Sequence, residues 1–245
     1  MMYDDSADIY DLQYEAYRAD VPHYVRLADD VGGPVLELGA GTGRITEALA
    51  RAGHHVVGVE PSAAMRARAA ARFGDAPWAN NITFIAGDMR NLALKRQFPL
   101  IIAPFNTLMH AYTLEDQDRT FAAVRAHLVP GGVFAFDLYR PQNVQTGVLR
   151  VEPEWQDLQP GLDVFLLQNH DPVKQVLTST YYIDRSVAGQ LSRRRTVLSQ
   201  RYYHRFELER LLRQHGFTYR LFGSFEKDLV GEHSNYFVVV ASGPQ

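Results

Sequence analysis

A short apolar run that breaks into alternating glycines constrains this chain most. Residues 34–38 read Pro-Val-Leu-Glu-Leu, glycine then occupies positions 39, 41 and 43, and residues 44–50 follow with helical spacing. A strand, a glycine turn and a helix in this order present backbone N–H groups and a helix N-terminus to a nucleotide-like ligand. The glycines are needed because a side chain would block close approach of the backbone to such a ligand.

Apolar runs alternate with helical segments from residue 34 to about residue 139. The predicted strands are Val35–Leu38, His55–Val59, Ile82–Ala86, Leu100–Pro104 and Gly132–Leu138, and the predicted helices are Arg44–Ala52, Ser62–Phe73 and Glu115–Leu128. Strands separated by helices imply right-handed crossovers and a parallel sheet that is covered on both faces. We therefore expect a doubly wound α/β fold.

The beginning of the chain departs from this alternation. Residues 6–31 are amphipathic and rich in tyrosine. They predict one helix that ends near Asp20 and a second that opens at Pro22, because proline suits a first helical turn. We expect residues 1–31 to form a helical cap, which either packs against the main domain or closes over a ligand.

The chain changes again after residue 150. Three strand-like segments follow one another without a helix: Asp163–Asn169, Gln175–Ile183 and Arg194–Tyr203. They predict an antiparallel insert over 151–205, which would serve as a substrate lid. The α/β domain then resumes with a helix at Glu207–His215 and strands at Phe217–Phe225 and Asn235–Ala241, so that it spans 32–150 and 206–245.

Composition limits the classes of partner. The formal charge of −3 over 245 residues gives no electrostatic reason to expect a nucleic acid. The chain has no cysteine, which excludes disulfides and thiolate metal sites. No apolar run approaches the roughly 18–20 residues that cross a bilayer, and the acidic N-terminus is unlike a secretory signal. We expect a cytoplasmic protein without a membrane partner, and a homodimer is compatible with the sequence.

An acid follows the second predicted strand. Glu60 stands at the strand end, where a carboxylate can accept hydrogen bonds from both ribose hydroxyls of an adenosine. Pro61 and Ser62 come next, and Ser62 suits the N-cap of the following helix. We interpret Glu60 as a ligand-binding residue rather than an exposed strand end.

The glycine loop distinguishes two kinds of nucleoside ligand. A dinucleotide loop would read Gly-x-Gly-x-x-Gly, whereas this chain reads Glu-x-Gly-x-Gly-x-Gly, with Glu37 before the first glycine. This arrangement resembles motif I of the class I methyltransferases that use S-adenosylmethionine and release S-adenosylhomocysteine. The resemblance implies a Rossmann-like sheet of seven strands, mostly parallel with an antiparallel last strand, and the antiparallel insert after strand 5.

Further segments extend the resemblance. Gly87-Asp88-Met89 is similar to the family's adenine site, and Leu128–Phe134 is similar to its turn and fifth strand. The resemblance implies these cofactor-binding residues: Tyr14, Glu37, Gly39, Ala40, Gly41, Gly43, Glu60, Pro61, Ser62, Asp88, Met89 and Phe105.

Within the class, the chain resembles small-molecule enzymes such as the N-methyltransferases of amino sugars. Those enzymes also begin with a tyrosine-rich stretch like Tyr10-Asp11-x-x-Tyr14. They carry a pair like Arg201-Tyr202 ahead of a helix that ends in Gly-Phe. The resemblance suggests Tyr10, Tyr139 and Arg201 as substrate contacts.

The end of the fourth predicted strand should face the reacting centre, because parallel sheets bind ligands at the carboxyl ends of their strands. Asn106 could orient the cofactor or a substrate amine, and His110 could act as a base or be a structural histidine. The Asn-Pro-Pro-Tyr sequence of DNA and protein-amide methylases is absent here. We predict no metal site, since no His-x-x-x-His or carboxylate cluster stands at this point.

The sequence therefore favours a methyltransferase that acts on a small-molecule amine or hydroxyl, with N-methylation slightly ahead of O-methylation. One alternative is a non-catalytic scaffold or regulatory subunit that kept the cofactor fold. Another is an RNA or protein methyltransferase, which a continuous basic face formed by the insert's arginines would favour.

Overall fold

The computed structural model describes residues 7–14, 16–142, 144–152, 161–187 and 189–243. The helices are α1 (Ala7–Tyr14), α2 (Val21–Val31), α3 (Arg44–Arg51), α4 (Ala63–Phe73), α5 (Leu114–His127) and α6 (Arg205–Gln214). The strands are β1 (Val35–Leu38), β2 (Val56–Glu60), β3 (Ile82–Ala86), β4 (Phe98–Ala103), β5 (Leu128–Tyr139), β6 (Leu149–Val151), β7 (Leu162–Asp171), β8 (Val176–Val187), β9 (Gln190–Arg201), β10 (Thr218–Phe222) and β11 (Tyr236–Ser242). Short 3₁₀ turns occur at Pro77–Asn81, Met89–Asn91 and Thr107–His110.

Seven of these strands form the main sheet, in the order β10-β11-β5-β4-β1-β2-β3. The strands β1 to β5 pair in parallel, whereas β11 is antiparallel to both β5 and β10. The order reverses beside β1, which places a ligand crevice at the carboxyl ends of β1 and β4. The predicted doubly wound fold with an antiparallel last strand is confirmed.

Helices cover both faces of the main sheet. Neighbouring residues of β1 point to opposite faces: Val35 packs with α2 and α3, and Leu36 belongs to the cluster that contains α5 and α6. All four residues of β1 are buried, as expected for a central parallel strand. On the α5 side, Phe121 is fully buried and its ring lies 5.8 Å from that of Phe134 and 6.3 Å from that of Phe217.

The fifth strand begins earlier than the sequence predicts. Phe98 pairs with Leu128, and Leu100 pairs with Val133, so a step of two residues on β4 corresponds to five on β5. The predicted turn at residues 129–132 is therefore a bulge within the strand, with Gly131 at a φ of +70°. A glycine permits this left-handed conformation without a clash.

The N-terminal segment corrects one prediction. The first helix ends at Tyr14 rather than near Asp20, and α2 begins at Val21 with Pro22 in its first turn. Asp20 is completely buried and forms an ion pair with Arg44. A distant guanidinium, which local sequence does not reveal, fixes this segment in place of a longer helix.

The four remaining strands form an antiparallel sheet in the order β6-β7-β8-β9. The predicted meander is present, and the short strand β6 adds to it before residue 151. Residues 153–160 of the predicted insert lie outside the described residues. The division of the chain into a cap, a cofactor domain and an insert stays a prediction.

Helix α1 contacts both the insert sheet and the α/β part of the chain. Its Ile9 packs with apolar residues of β7 and β8. At its charged positions, Asp8 pairs with Arg194 of β9 at 3.0 Å, and Asp11 pairs with Arg72 of α4 at 3.2 Å. The helix therefore bridges the two sheets.

We expect Phe121→Ala to lower the free energy of unfolding by about 3–5 kcal/mol, because it leaves a cavity among closely packed rings. Phe206→Ala is the matched control, since Phe206 is 78% exposed on α6 and its truncation should cost no more than about 0.5 kcal/mol. Denaturant unfolding of both variants measures the difference. Equal losses would contradict this description of the core.

Candidate active site

One cavity of about 340 Å³ lies where β1, β2, β3 and β4 end and where β9 approaches them. This volume is within the usual range for small-molecule sites. Most of the predicted site residues line it: Tyr10, Tyr14, Glu37, Gly39, Ala40, Gly41, Glu60, Pro61, Ser62, Asp88, Met89, Phe105, Asn106 and His110. The lining also includes residues that the sequence did not single out, which are Thr42, Arg44, Ile45, Met65, Arg90, Pro104, Thr107, Tyr112, Leu198 and Gln200.

The glycine loop forms one wall. Gly39 and Gly41 have φ angles of +63° and +57°, which glycine adopts readily. A Cβ atom on Gly39 would lie 2.6 Å from the Thr107 side chain, whereas one on Gly41 would have no neighbour closer than 3.9 Å. The loop therefore packs tightly at Gly39 and stays open at Gly41, where a ligand can approach the backbone.

Gly43 does not line the cavity, unlike its predicted role. It precedes α3 with a φ of +84°, and a Cβ there would lie 2.4 Å from the Phe73 ring. A side chain at this position would clash with Phe73, so the glycine allows α3 to pack closely against α4.

Glu60 secures the loop. Its Oε2 accepts a hydrogen bond from the Gly41 N–H at 3.0 Å, and its Oε1 accepts from the Ser62 N–H at 2.8 Å. The residue is only 5% exposed, yet it borders the cavity. Each carboxylate oxygen has a second lone pair, so the group can hold the loop and also accept from ligand hydroxyls.

Glu37 lies deeper in the same wall. Thr46 donates a hydrogen bond from Oγ1 to Glu37 Oε2 at 2.5 Å. Burial raises the pKa of Glu37 to about 8, against the opposing effects of this hydrogen bond and of the Arg44 charge. Without a ligand the carboxyl is therefore largely protonated near neutral pH, and a ligand ammonium group beside it would favour the ionised form.

Arg44 closes the side of the cavity next to the N-terminal segment. Its guanidinium donates from Nη1 and Nη2 to the two carboxylate oxygens of Asp20, each at 2.6 Å. It also lies 5.3 Å from the ring centres of Tyr17 and Phe105. Sequence reasoning missed this pair, because nothing near Asp20 in the chain marks it as buried.

The segment after β4 has unusual backbone geometry. Phe105 and Asn106 have φ angles of +54° and +66°, which side-chain-bearing residues rarely adopt. Asp137 holds this conformation by accepting a hydrogen bond at its Oδ1 from the Phe105 N–H at 2.8 Å, and Tyr24 donates to the same oxygen at 2.6 Å. A strained turn fixed in this way places both side chains on the cavity wall.

The carbonyl oxygen of the Asn106 side-chain amide already accepts a hydrogen bond. Its Oδ1 accepts a hydrogen bond from the Tyr139 N–H at 2.5 Å, so the N–H₂ group remains as its donor toward a ligand. The Tyr139 side chain is not among the cavity residues and instead packs near Tyr236. Its predicted role as a substrate contact is therefore not supported by its position.

Aromatic rings surround the turn. The Tyr14 ring lies 4.7 Å from that of Phe105 and 4.9 Å from that of Tyr10, centre to centre. All three border the cavity. Their faces can stabilise a positive charge by cation–π interaction.

Asp88 and Arg90 lie at the end of β3. Asp88 accepts hydrogen bonds from the Arg90 side chain at Nε (2.9 Å) and Nη2 (2.5 Å). This hydrogen bonding lowers the pKa of Asp88. The carboxylate therefore stays ionised and keeps acceptor capacity for an exocyclic amine.

His110 borders the same cavity. Its Nδ1 lies 3.1 Å from the hydroxyl of Tyr112. Burial lowers the pKa of His110 to about 4, and the charge of Arg90 acts in the same direction. The imidazole is therefore neutral at physiological pH.

Strand β9 contributes Leu198 and Gln200 to the cavity, but not Arg201. Neighbouring strand residues point to opposite faces. Arg201 instead donates from Nη2 to Glu207 Oε1 at 3.0 Å and to Gln175 Oε1 at 3.3 Å. Its predicted substrate role is not supported by this position, and the alternation of the strand could have indicated Gln200 in its place.

Comparison with known proteins agrees with this geometry. A family model described as a methyltransferase domain matches residues 35–132. An uncharacterized methyltransferase of Geobacillus thermodenitrificans is 34% identical over 140 residues, which cover 55% of this chain and 60% of the relative. A dTDP-3-amino-3,4,6-trideoxy-α-D-glucopyranose N,N-dimethyltransferase of Streptomyces venezuelae is 31% identical over 136 residues, covering 53% and 55%.

The structural likeness extends over the whole chain. The CcbJ methyltransferase of Streptomyces caelestis superposes with a TM-score of 0.87 at 25% identity, covering 100% of this chain and 99% of that one. Residues 35–132 thus match a methyltransferase domain, and the chain as a whole is similar in fold to a methyltransferase. It spans about 60% of the length of the first curated relatives that it matches.

The donor set of the cavity fits the cofactor of this methyltransferase family. Ribose hydroxyls, an adenine amine and an ammonium group each need an acceptor, and Glu37, Glu60 and Asp88 supply carboxylates to the cavity wall. Gly41 leaves its side of the loop open. Within the described ranges, no group of three His, Asp or Glu side chains could hold a metal ion. No helix in the same ranges is long and apolar enough to cross a membrane.

We expect Glu37→Gln to make the cofactor-free protein more stable than the parent at high pH. The folded-state pKa of Glu37, about 8, lies above its usual value of 4.5. The protonated carboxyl therefore contributes its full share of the free energy of unfolding below pH 4.5, and this share is lost as pH rises from 4.5 to 8. At pH 8 the free energy of unfolding of the variant should exceed that of the parent by about 1 kcal/mol or more, since one pKa unit corresponds to about 1.4 kcal/mol. Denaturant unfolding at pH 5, 6.5 and 8 measures the difference.

Glu115→Gln is the control, because the Glu115 side chain is 79% exposed. The difference in the free energy of unfolding between Glu115→Gln and the parent should not change with pH. Parallel stability curves for the parent and Glu37→Gln would contradict the buried, protonated state of Glu37.

Proposed function

We propose that the chain transfers a methyl group from S-adenosylmethionine to the nitrogen of a small-molecule amine, of the amino-sugar kind. The observation that carries this proposal is the position of His110, which borders the same cavity as the glycine loop and whose pKa is lowered by burial. An amine that binds unprotonated has a lone pair ready for transfer and needs no base, whereas a hydroxyl needs one. A histidine whose pKa is about 4 is a poor base for a hydroxyl.

The cofactor is proposed to lie along the strand ends. Glu60 accepts from its ribose hydroxyls, Asp88 from its adenine amine, and Glu37 from its ammonium group. The rings of Tyr14 and Phe105 border its sulfonium, which supplies an already activated methyl group. The positions of these side chains around one cavity support the proposed roles.

His110 is proposed to orient the acceptor rather than to deprotonate it. It accepts a hydrogen bond from the amine N–H, so that the nitrogen lone pair points at the methyl group. The N–C bond forms as the S–C bond breaks, and the methylated ammonium passes its proton to water. Alignment of this kind accounts for about 7–11 kcal/mol of barrier lowering in well-oriented reactions.

Two features favour a small molecule over RNA or protein. The cavity lies between the cofactor loop and β9 and has the size of a small-molecule site. The arginines of β9 do not form a bare basic face, because Arg193 pairs with Asp184 at 2.6 Å and Arg194 pairs with Asp8 at 3.0 Å. The amino-sugar acceptor rests on the similarity to the amino-sugar N,N-dimethyltransferase of Streptomyces venezuelae.

Calorimetry and a methyl-transfer assay test the proposal together. We expect S-adenosylmethionine to bind with micromolar affinity, which corresponds to about −8 kcal/mol. Nucleotide-linked and simple amino sugars should be methylated at nitrogen, and the same sugars with hydroxyl in place of amine should not react. Absence of cofactor binding, or methylation of the hydroxyl analogues alone, would contradict the proposal.

We expect Glu60→Ala to weaken binding of S-adenosylhomocysteine roughly 10- to 100-fold, since a hydrogen bond to a charged group is worth about 1.5–3 kcal/mol. Glu60 also accepts a hydrogen bond from Gly41 in the glycine loop, so Glu60→Ala could weaken binding by disturbing the loop as well as by removing a contact to the ribose. The two effects must be separated. A double-mutant cycle with the 2′-deoxy form of the ligand does this, because a disturbed loop weakens both ligands equally. Loss of the 2′-hydroxyl should weaken binding to the parent but not to Glu60→Ala. The control is Glu226→Ala, which removes an exposed acid and should bind both ligands as the parent does. Equal losses in parent and variant would refute the ribose contact.

A further inference from the structure

Strand β9 brings a polar side chain to the cavity wall. Gln200 and Leu198 both border the cavity, and because they are two residues apart on a strand they lie on the same face of it. Arg201 lies on the other face, where it donates a hydrogen bond to Glu207 at 3.0 Å. The described residues of β9 thus present one apolar group and one uncharged amide to the cavity.

Hydrogen bonds on both sides of Gln200 in the chain hold β9 against the segment that follows β4. The Tyr112 hydroxyl donates to the backbone carbonyl of Ser199 at 2.5 Å. The Tyr203 hydroxyl donates to the backbone carbonyl of Leu108 at 3.0 Å. Strand β9 also pairs with β8 along its whole length. The backbone at Gln200 is therefore held in place before a ligand binds, which lowers the cost of binding.

The side-chain amide of Gln200 makes no hydrogen bond to any of the described residues. Other polar groups of the wall do: the Asn106 oxygen accepts from the Tyr139 N–H, and Thr107 donates to the Pro104 carbonyl at 2.8 Å. A ligand in the cavity displaces water from this half-buried amide. The ligand must then supply the hydrogen bond itself, because a buried polar group that is left unpaired is costly.

The chemistry of an amide indicates which group it would bind. The Gln200 amide offers both N–H donors and a carbonyl acceptor, and a hydroxyl group likewise donates and accepts. A phosphate or a carboxylate would instead call for arginine or lysine, and Arg44 and Arg90 of the cavity wall are already paired with carboxylates. A neutral hydroxyl group is therefore the best match for Gln200.

We propose that Gln200 is a specificity-determining residue, whose side-chain amide forms a hydrogen bond with a hydroxyl group of the methyl acceptor. This role rests on the proposed function, because it concerns a second group of the same acceptor. Leu198 lies beside it and packs against an apolar edge of that molecule. The acceptor is thereby narrowed to an amine that carries a hydroxyl group on the side that faces β9.

Calorimetry on the protein saturated with S-adenosylhomocysteine measures this contact without methyl transfer. The probes are methyl 3-amino-3-deoxyglucopyranoside and the forms of it that each lack one further hydroxyl group. We expect Gln200→Leu to weaken binding of the full sugar about 10-fold, because a buried sugar hydroxyl loses its partner. One deoxygenated sugar should bind the parent about 10-fold more weakly for the same reason. That sugar should bind the parent and Gln200→Leu equally, because the contact is already absent.

Gln190→Leu is the matched control, since Gln190 begins the same strand and is exposed. This variant should bind every sugar as the parent does. Unchanged binding of the full sugar to Gln200→Leu would overturn the role of Gln200. An equal loss for the full and all the deoxygenated sugars would also overturn it, because such a loss indicates a disturbed wall and not one hydrogen bond.

Failure of this role is distinguishable from failure of the proposed function. If the parent methylates the amino sugar and Gln200→Leu does so with the same KM for the sugar, only the role of Gln200 is lost. If the parent binds S-adenosylhomocysteine but none of the sugars, the proposed amino-sugar acceptor is wrong and the role of Gln200 fails with it.

Discussion

The buried ion pair between Arg44 and Asp20 holds the site together. Arg44 starts the helix that follows the glycine loop, and Asp20 lies just before α2, so one guanidinium joins these two parts of the chain. Both side chains are almost completely withdrawn from water. Such a pair contributes little net stability by itself, but loss of either partner leaves an uncompensated buried charge, which typically costs about 3–5 kcal/mol. The arrangement therefore fixes geometry more than it adds stability.

Acidic side chains are concentrated around the cavity. Glu37, Glu60 and Asp88 border it, and Arg44 and Arg90 are both already paired with carboxylates. S-adenosylmethionine carries a sulfonium and an ammonium group, so its charge complements this wall. Burial raises the pKa of Glu37, and the neighbouring acids Asp20 and Glu60 act in the same direction, so this acid keeps its proton until a cation lies beside it.

The sequence was sufficient for features that depend on neighbouring residues. The strand, glycine loop and helix form one local unit, and Glu60 could be placed because parallel strands end at the same edge. Features that depend on distant contacts were missed. Asp20 is buried by a partner 24 positions along the chain, and the position of Gly43 against Phe73 depends on how α3 packs on α4.

The side of the cavity next to the insert sheet was the hardest part to predict. Tyr112 lies in the loop before α5 and Gln200 lies on β9 of the insert sheet, and no local signal brings them together. The choice of Arg201 in place of Gln200 followed a resemblance instead of the alternation of side chains along a strand. A period of two would have placed residues 198 and 200 on one face and residue 201 on the other.

Helix α1 makes its contact with the insert sheet sensitive to ionic strength. Its Tyr10 and Tyr14 form part of the cavity wall, and its Asp8 forms an exposed ion pair with Arg194 of the insert sheet. Such an exposed pair contributes only about 0–1 kcal/mol and weakens as salt screens it. The pair between Arg44 and Asp20 is buried and is screened much less, so ionic strength should act on the contact between α1 and the insert more than on the wall around Arg44.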